Sequence, residues 1–228
     1  MTKPILELSK VDKVFPHPRG PVHALKNISF AVAPGETLAI IGVSGAGKST
    51  LLHLIGALDA PTAGSLVFEG NDFAQMNALA LASIRNHRIG FVFQFHHLLP
   101  EFDALENVMV PALIARKDEK EAREKAGRIL VELGLEERMH HRLGELSGGE
   151  QQRVAVARAV MLEPSLVLCD EPTGNLDAQT GKKVEDLLLD LNRKKGLTLV
   201  VVTHNEDLAR RMQRTIRLFS GEMVSDSK

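Results

Sequence analysis

The sequence predicts an α/β fold: a mostly parallel sheet, an antiparallel β part and an inserted helical subdomain. Three observations predict it. Runs such as Thr-Leu-Ala-Ile-Ile at 37–41, Leu-Val-Leu-Cys-Asp at 166–170 and Thr-Leu-Val-Val-Val-Thr at 198–203 are continuously apolar, the habit of strands buried on both faces. Strand-like and helical segments alternate along most of the chain, as parallel βαβ units require. From Gln94 to Pro164 the strand signals stop and only helical segments follow one another.

Taken in order, strand-like runs fall at 5–8, 28–32, 37–41, 66–68, 90–93, 166–170, 198–203, 215–218 and 222–224. Between them the pattern predicts helices at 48–56, 78–87, 104–110, 118–133, 150–162, 178–194 and 205–211. Ser220-Gly221 reads as the turn of a closing hairpin. The whole chain, 1–228, is expected to form one domain, with 1–93 and 165–228 as the core and 94–164 as the helical insertion. The stretch 116–138 carries seven basic and seven acidic residues. Mixed signs at helical spacing mark a solvated helix face.

The bulk numbers narrow the function classes. A length of 228 residues with 44% hydrophobic content suits one α/β domain plus an insertion. Lys and Arg number 28 against 29 Asp and Glu, for a net charge of −1, which argues against nucleic-acid binding by bulk electrostatics. The single cysteine, Cys169, excludes an internal disulfide and a cysteine-built zinc site. Its place in an apolar run predicts a small buried hydrophobe. No apolar run approaches the roughly 18 residues of a membrane helix, and the start reads as a strand rather than a leader. The expectation is a cytoplasmic chain that a partner holds at any membrane it serves.

Gly42-Val43-Ser44-Gly45-Ala46-Gly47-Lys48-Ser49-Thr50 follows a predicted strand and opens a predicted helix, the context a phosphate-cradling loop needs. Its glycines let backbone N–H groups turn toward phosphates, and the helix N-terminus adds partial positive charge. Lys48 is expected at the β/γ-phosphates, Ser49 on Mg²⁺ and Thr50 on a more inward phosphate. A lone carboxylate at the end of an apolar strand is costly without a partner. Mg²⁺ shared with Ser49 supplies one for Asp170. Glu171, next in the chain, is placed to polarise the water that attacks the γ-phosphate.

Ser147-Gly148-Gly149-Glu150 fits a capping box, with the Ser147 hydroxyl and the Glu150 carboxylate exchanging bonds at a helix start. The same two glycines also leave room for a phosphate. Because the chain already has one phosphate loop, a second makes sense if it serves the nucleotide of another copy. His96-His97 is rejected as a metal site, since adjacent residues share no helix face and no third ligand is evident.

These motifs, in this order, resemble those of ABC ATPases over nearly the whole chain. The resemblance implies ATP and Mg²⁺ as ligands and hydrolysis to ADP and phosphate. It also implies a dimer in which each ATP lies between the Lys48 loop of one copy and Ser147, Gly148 and Gly149 of the other. By the same resemblance, Gln94 is the glutamine that senses Mg²⁺ and the attacking water. Asp177, in Gly174-Asn175-Leu176-Asp177, belongs to the loop that follows the catalytic carboxylates and also suits an N-cap. His204 matches the histidine that contacts the γ-phosphate. The family usually stacks adenine on a tyrosine; this chain has no Tyr and no Trp, and Phe15 stands at the matching place with a π face to offer.

The segment Glu171-Pro172-Thr173-Gly174-Asn175-Leu176-Asp177 resembles the subgroup that holds lipoprotein-release, macrolide-export and cell-division cassettes. Within it, the stretch Gly90-Phe91-Val92-Phe93-Gln94-Phe95-His96-His97-Leu98-Leu99-Pro100-Glu101-Phe102-Asp103-Ala104-Leu105-Glu106-Asn107-Val108 is very similar to the lipoprotein-releasing ATPases. The apolar residues Phe95, Leu98, Leu99 and Phe102 predict a partner surface, with local core packing as the alternative. The resemblance places the chain on the cytoplasmic face of a bacterial inner membrane, docked on permease subunits between Gln94 and Phe102 and never touching the cargo. Macrolide-export-type and cell-division-type complexes are the nearest alternatives. A DNA-repair or translation ATPase lacks support because there is no coiled-coil insertion and no basic face. The signature and the Asp170-Glu171 pair argue against a small-molecule kinase. Intact Lys48, Asp170, Glu171 and His204 argue against a regulatory subunit without turnover.

Overall fold

The computed structural model describes residues 3–227. Strands β1 (Leu6–Phe15), β2 (Val22–Val32) and β3 (Thr37–Ile41) lead to helix α1 (Lys48–Ile55). Strands β4 (Ala63–Phe68) and β5 (Asn71–Asp72), helix α2 (Ala78–His87) and strand β6 (Ile89–Phe93) follow. Then come helices α3 (Ala104–Ile114), α4 (Glu119–Glu132) and α5 (Gly148–Val160), strand β7 (Leu166–Asp170) and helix α6 (Ala178–Lys195). Strand β8 (Thr198–Thr203), helix α7 (Glu206–Arg210) and the hairpin β9 (Arg214–Phe219) and β10 (Glu222–Ser227) close the chain. Two compact units emerge: one runs up to Ala82 and resumes at Thr198, and the other is Ser83–Leu197.

In the first unit, β2, β1, β4 and β5 form an antiparallel sheet in that order. A second sheet runs β10-β9-β3-β8, with β3 parallel to both β9 and β8. Leu38, Ala39, Ile40, Val200, Val201 and Val202 are fully buried, so these strands are covered on both faces, as their apolar runs predict. Burying each Leu, Ile or Val contributes about 1.5–3 kcal/mol. The hairpin turns at Ser220 (φ 48°) and Gly221 (φ 82°). Two consecutive left-handed residues are the geometry whose twist matches that of paired strands.

In the second unit, β6 and β7 pair in parallel, with Phe93 opposite Asp170. Leu166, Val167, Leu168 and Cys169 are fully buried, and burial pushes the Cys169 thiol pKa up. Three helices occupy the chain between these strands. Helix α4 buries only Ala122, Ala126, Ile129 and Leu130, and its charged face is solvated. Arg123 pairs with Glu119, and Lys125 reaches Glu163 at 2.7 Å.

The observed elements exceed the expected ones where local signals are mixed. Strands β1 and β2 are longer because register shifts between Leu8 and Val14, with Lys10 at φ 51°, break the alternation that pattern reading relies on. Helix α3 continues past Pro111, although a proline predicts a stop. Val108, Met109 and Ala112 are buried around it, and the Pro111 carbonyl accepts from Ala115 N and Asn86 Nδ2. Packing and these bonds outweigh the one missing donor.

Gly90 in β6 permits a close approach of backbone to backbone: a Cβ there would stand 2.3 Å from the Ala159 carbonyl oxygen. Gly90→Ala must push β6 away from α5. Overpacking of this kind costs about 1–3 kcal/mol, so the melting temperature should fall by roughly 2–10 °C in a thermal unfolding scan.

Candidate active site

The loop after β3 is shaped by glycine. Gly45 (φ 77°) and Gly47 (φ 99°) hold left-handed backbone, and a Cβ on Gly47 would meet the Ala24 carbonyl oxygen at 2.5 Å. A Cβ on Gly42 would meet the Leu218 carbonyl oxygen at 2.4 Å. Gly221 N donates to the Ala46 carbonyl, so the hairpin turn props the loop. Helix α1 starts at Lys48 with Gly47 as its N-cap, and Gly47 brings no side chain to the first-turn N–H groups. That is an anion-binding helix start. Lys48 Nζ lies over the loop, donating to Gly42 O at 2.9 Å and Val43 O at 3.2 Å. Ser44, Gly45 and Ser49 are exposed, Gly42 and Thr50 are half-buried and Ala46 is buried. His204 is exposed at the end of β8. Phe15 is 39% exposed at the end of β1, with Lys13 Nζ 4.9 Å from its ring centroid.

In the second unit, the in-register ends of β6 and β7 release Gln94 and Glu171 from neighbouring strands. Gln94 Nε2 donates to Asn175 Oδ1 at 2.8 Å, and Asn175 Nδ2 returns a bond to Gln94 O at 3.2 Å. A Cβ on Gly174 would stand 2.9 Å from Gln94 Nε2, so the glycine makes room for this clasp. Asp170 and Glu171 are half-buried. Glu171 has φ 47°. A left-handed non-glycine costs roughly 1–2 kcal/mol, a strain that marks functional positions when surrounding structure holds it. Within this unit Gln94 and Asp170 offer oxygen donors, an amide carbonyl and a carboxylate, of the kind magnesium takes while completing its shell with substrate phosphates, so these residues fit it. Among the described residues no cluster of three or more His, Cys, Asp or Glu suits a metal.

Ser147 is the N-cap of α5, and the capping box is complete. Glu150 N donates to Ser147 Oγ at 3.3 Å, while Ser147 N and Ser147 Oγ each donate to Glu150 Oε2 at 2.8 Å. Arg138 Nε adds a bond at 3.0 Å. The Ser147 backbone and hydroxyl bonds, helped by Arg138, hold the Glu150 carboxyl at about 2. Gly148 is exposed and Gly149 buried, and a Cβ on Gly149 would meet Thr180 Cγ2 at 2.2 Å. Asp177 caps α6, accepting from Gln179 N and Thr180 N.

One expectation needs correction. Leu98 is only 7% exposed and belongs to the core, so it forms no part of an outward surface. The other apolar residues do face solvent: Phe95 at 69%, Leu99 at 39% and Phe102 at 36%. Asn107, fully buried on α3, sets this pattern. It accepts from Leu99 N and donates to the Leu99, Phe102 and Asp103 carbonyls, which holds the loop with its apolar residues outward. Asn107, a polar residue among the apolar Ala104, Leu105, Val108 and Met109, is the available signal. His96 Nδ1 bonds Gln152 Oε1, and His97 lies edge-on to Phe93 at 5.1 Å.

A family model described as ABC transporter matches residues 25–174. The chain belongs to the ABC transporter family. It is 55% identical to the lipoprotein-releasing system ATP-binding protein LolD of Geobacter metallireducens, over 97% of this chain and 99% of the relative. It is 49% identical to the LolD of Coxiella burnetii, over 99% of this chain and 97% of that one. Among solved structures it is similar to the dimeric bacterial ABC transporter cassette MJ0796, with TM-score 0.90, 40% identity and 98% of each chain covered. A second structure of that cassette, also dimeric, is bound to ADP and Pi and matches equally well. The ABC ATPase fold expected from the motifs is therefore the fold of this chain.

The Glu150 carboxyl makes acid stability a readout of the α5 cap. A folded-state value depressed from 4.5 to about 2 stabilises the fold above pH 4.5, and this contribution is lost as pH falls through about 2. Thermal melts across that window should show Glu150→Gln losing less stability on acidification than the unsubstituted chain.

Proposed function

We propose that this chain is the ATP-hydrolysing subunit of an inner-membrane ABC complex that releases lipoproteins from the inner membrane for transfer to the outer membrane. The observation that carries this reading is the end-to-end likeness to lipoprotein-releasing ATP-binding proteins, which extends through the segment from Gln94 to Phe102. The chain would sit peripherally on the cytoplasmic face. Among its described residues no helix is long and apolar enough to cross a membrane.

In this reading the backbone of Gly42, Ser44, Gly45, Ala46 and Gly47 receives the phosphates, with Lys48 on the β/γ oxygens and Thr50 on a more inward one. Phe15 packs against the adenine. Ser49, Gln94 and Asp170 would hold Mg²⁺, which when bound neutralises charge on the β- and γ-phosphates. Glu171 accepts the proton of the attacking water, and His204 contacts the γ-phosphate. Ser147, Gly148, Gly149 and Asp177 serve the ATP of a second copy. ATP binding closes the two copies, closure pulls on permease subunits seated on Phe95, Leu99 and Phe102, and hydrolysis resets the pair. The cargo does not touch this chain. Support for the site comes from family membership, the glycine-built loop and the strained Glu171.

Glu171→Gln should retain ATP binding and slow hydrolysis by on the order of 10²-fold, the loss expected for a removed general base. Unchanged turnover would remove Glu171 from that role. Tagged Glu171→Gln, loaded with ATP and Mg²⁺ and recovered from solubilised membranes, should bring lipoprotein-release permeases with it. A drug-export or division-type permease would replace the cargo assignment. Phe95→Asp combined with Leu99→Asp should lose that permease while nucleotide binding persists.

A further inference from the structure

Gln152 on α5 is fully buried, yet the assignment of ATPase residues gives it no part. Its amide is used on both sides. Nε2 donates to the Pro172 carbonyl at 2.7 Å and to the Phe93 carbonyl at 3.3 Å. Those carbonyls belong to the residues immediately after Glu171 and immediately before Gln94. Carbonyls only accept, so the orientation of the amide is forced and its Oε1 must be the acceptor facing His96. His96 Nδ1 therefore carries a proton and donates it to Gln152. The backbone on which His96 stands is itself held, since Arg158 donates to the His96 and His97 carbonyls at 2.7 and 2.6 Å. Its neighbour in the chain is Phe95, the most exposed residue of the apolar loop.

We propose that Gln152 and His96 are a positioning pair for hydrolysis: they tie the backbone carrying Gln94 and Glu171 to the permease-facing loop, and so set the turnover rate. The proposal rests on the reading of Glu171 as the base. Gln152 and His96 touch no nucleotide in this account; they act through the peptide links flanking the two residues that do. A partner pressing on Phe95 displaces His96, and His96 can move only by changing its bond to Gln152. Without a donor at the Nδ1 position, Gln152 is left with an unmet buried oxygen and its grip on Phe93 and Pro172 loosens.

The test uses near-isosteric replacements in the full-length chain. Asn at position 96 keeps an N–H donor where His has Nδ1, whereas Leu keeps the shape and loses the donor. In steady-state ATPase assays, His96→Leu should lower kcat about tenfold, within the up to ~10² that a small misplacement of catalytic groups costs. KM for ATP should stay near that of the unsubstituted chain, while the unmet Gln152 oxygen should lower the melting temperature by only a few degrees, leaving the variant folded at the assay temperature. His96→Asn should recover most of the rate. Equal kcat for the two variants, or a loss that follows KM or melting temperature instead, would overturn the pairing. Should His96→Leu fail to fold, His96→Gln, whose donor lies one bond further out, is compared with His96→Asn in the same way. Glu171→Gln is run beside them. If it turns over at the unsubstituted rate, the base assignment has failed; if it is slow while His96→Leu is not, only the positioning pair has.

Discussion

Burial of short parallel strands on both faces is the constraint from which the rest follows. Leu38–Ile41 in β3, Leu166–Cys169 in β7 and Leu199–Val202 in β8 have almost no exposed surface. Such strands cannot carry a polar group until they leave the core, so chemistry collects where they end. Gly42 follows β3, Gln94 follows β6, Asp170 and Glu171 stand at the end of β7, and His204 follows β8. The apolar run fixes the strand, and the strand's last residue fixes where the functional side chain emerges.

Local bonding then sharpens each emergence. The phosphate loop needs glycine because carbonyls of Ala24 and Leu218 leave no room for a Cβ at 47 or 42. Gln94 is clasped by Asn175 over a glycine at 174. Helix α5 begins at a fully bonded Ser147–Glu150 box and two residues after Glu150 presents Gln152 to the ends of β6 and β7. One helix thus carries both Gly148 and Gly149 and the amide that bonds the carbonyls flanking Gln94 and Glu171.

The sequence disclosed these parts unevenly, for physical reasons. Strands 37–41, 166–170 and 198–203 are legible to the residue because continuous apolar runs have sharp ends. The later half of β1 is not, since register shifts scramble its alternation. Ser147 and Asp177 were readable as caps because capping is local chemistry. Leu98 turns inward although its loop has no period to follow; the bonds of Asn107 to residues four to eight positions upstream decide which of its side chains do so. Gln152 was invisible for the same reason, its partners lying 20 to 59 residues away. Family resemblance proposes the site residues; it does not point to Asn107, Asn175 or Gln152, whose bonds hold the backbone around them.

In the mechanism proposed, ATP joins two copies of this chain, each nucleotide held by Lys48 of one and Ser147–Gly149 of the other. The most direct measurement is the solution mass of Glu171→Gln by light scattering, with and without ATP and Mg²⁺. The mass should double with ATP and Mg²⁺, stay unchanged with ADP, and fail to double when Ser147→Arg is added. A mass that stays monomeric at saturating ATP, or a dimer indifferent to both nucleotide and Ser147, would contradict it.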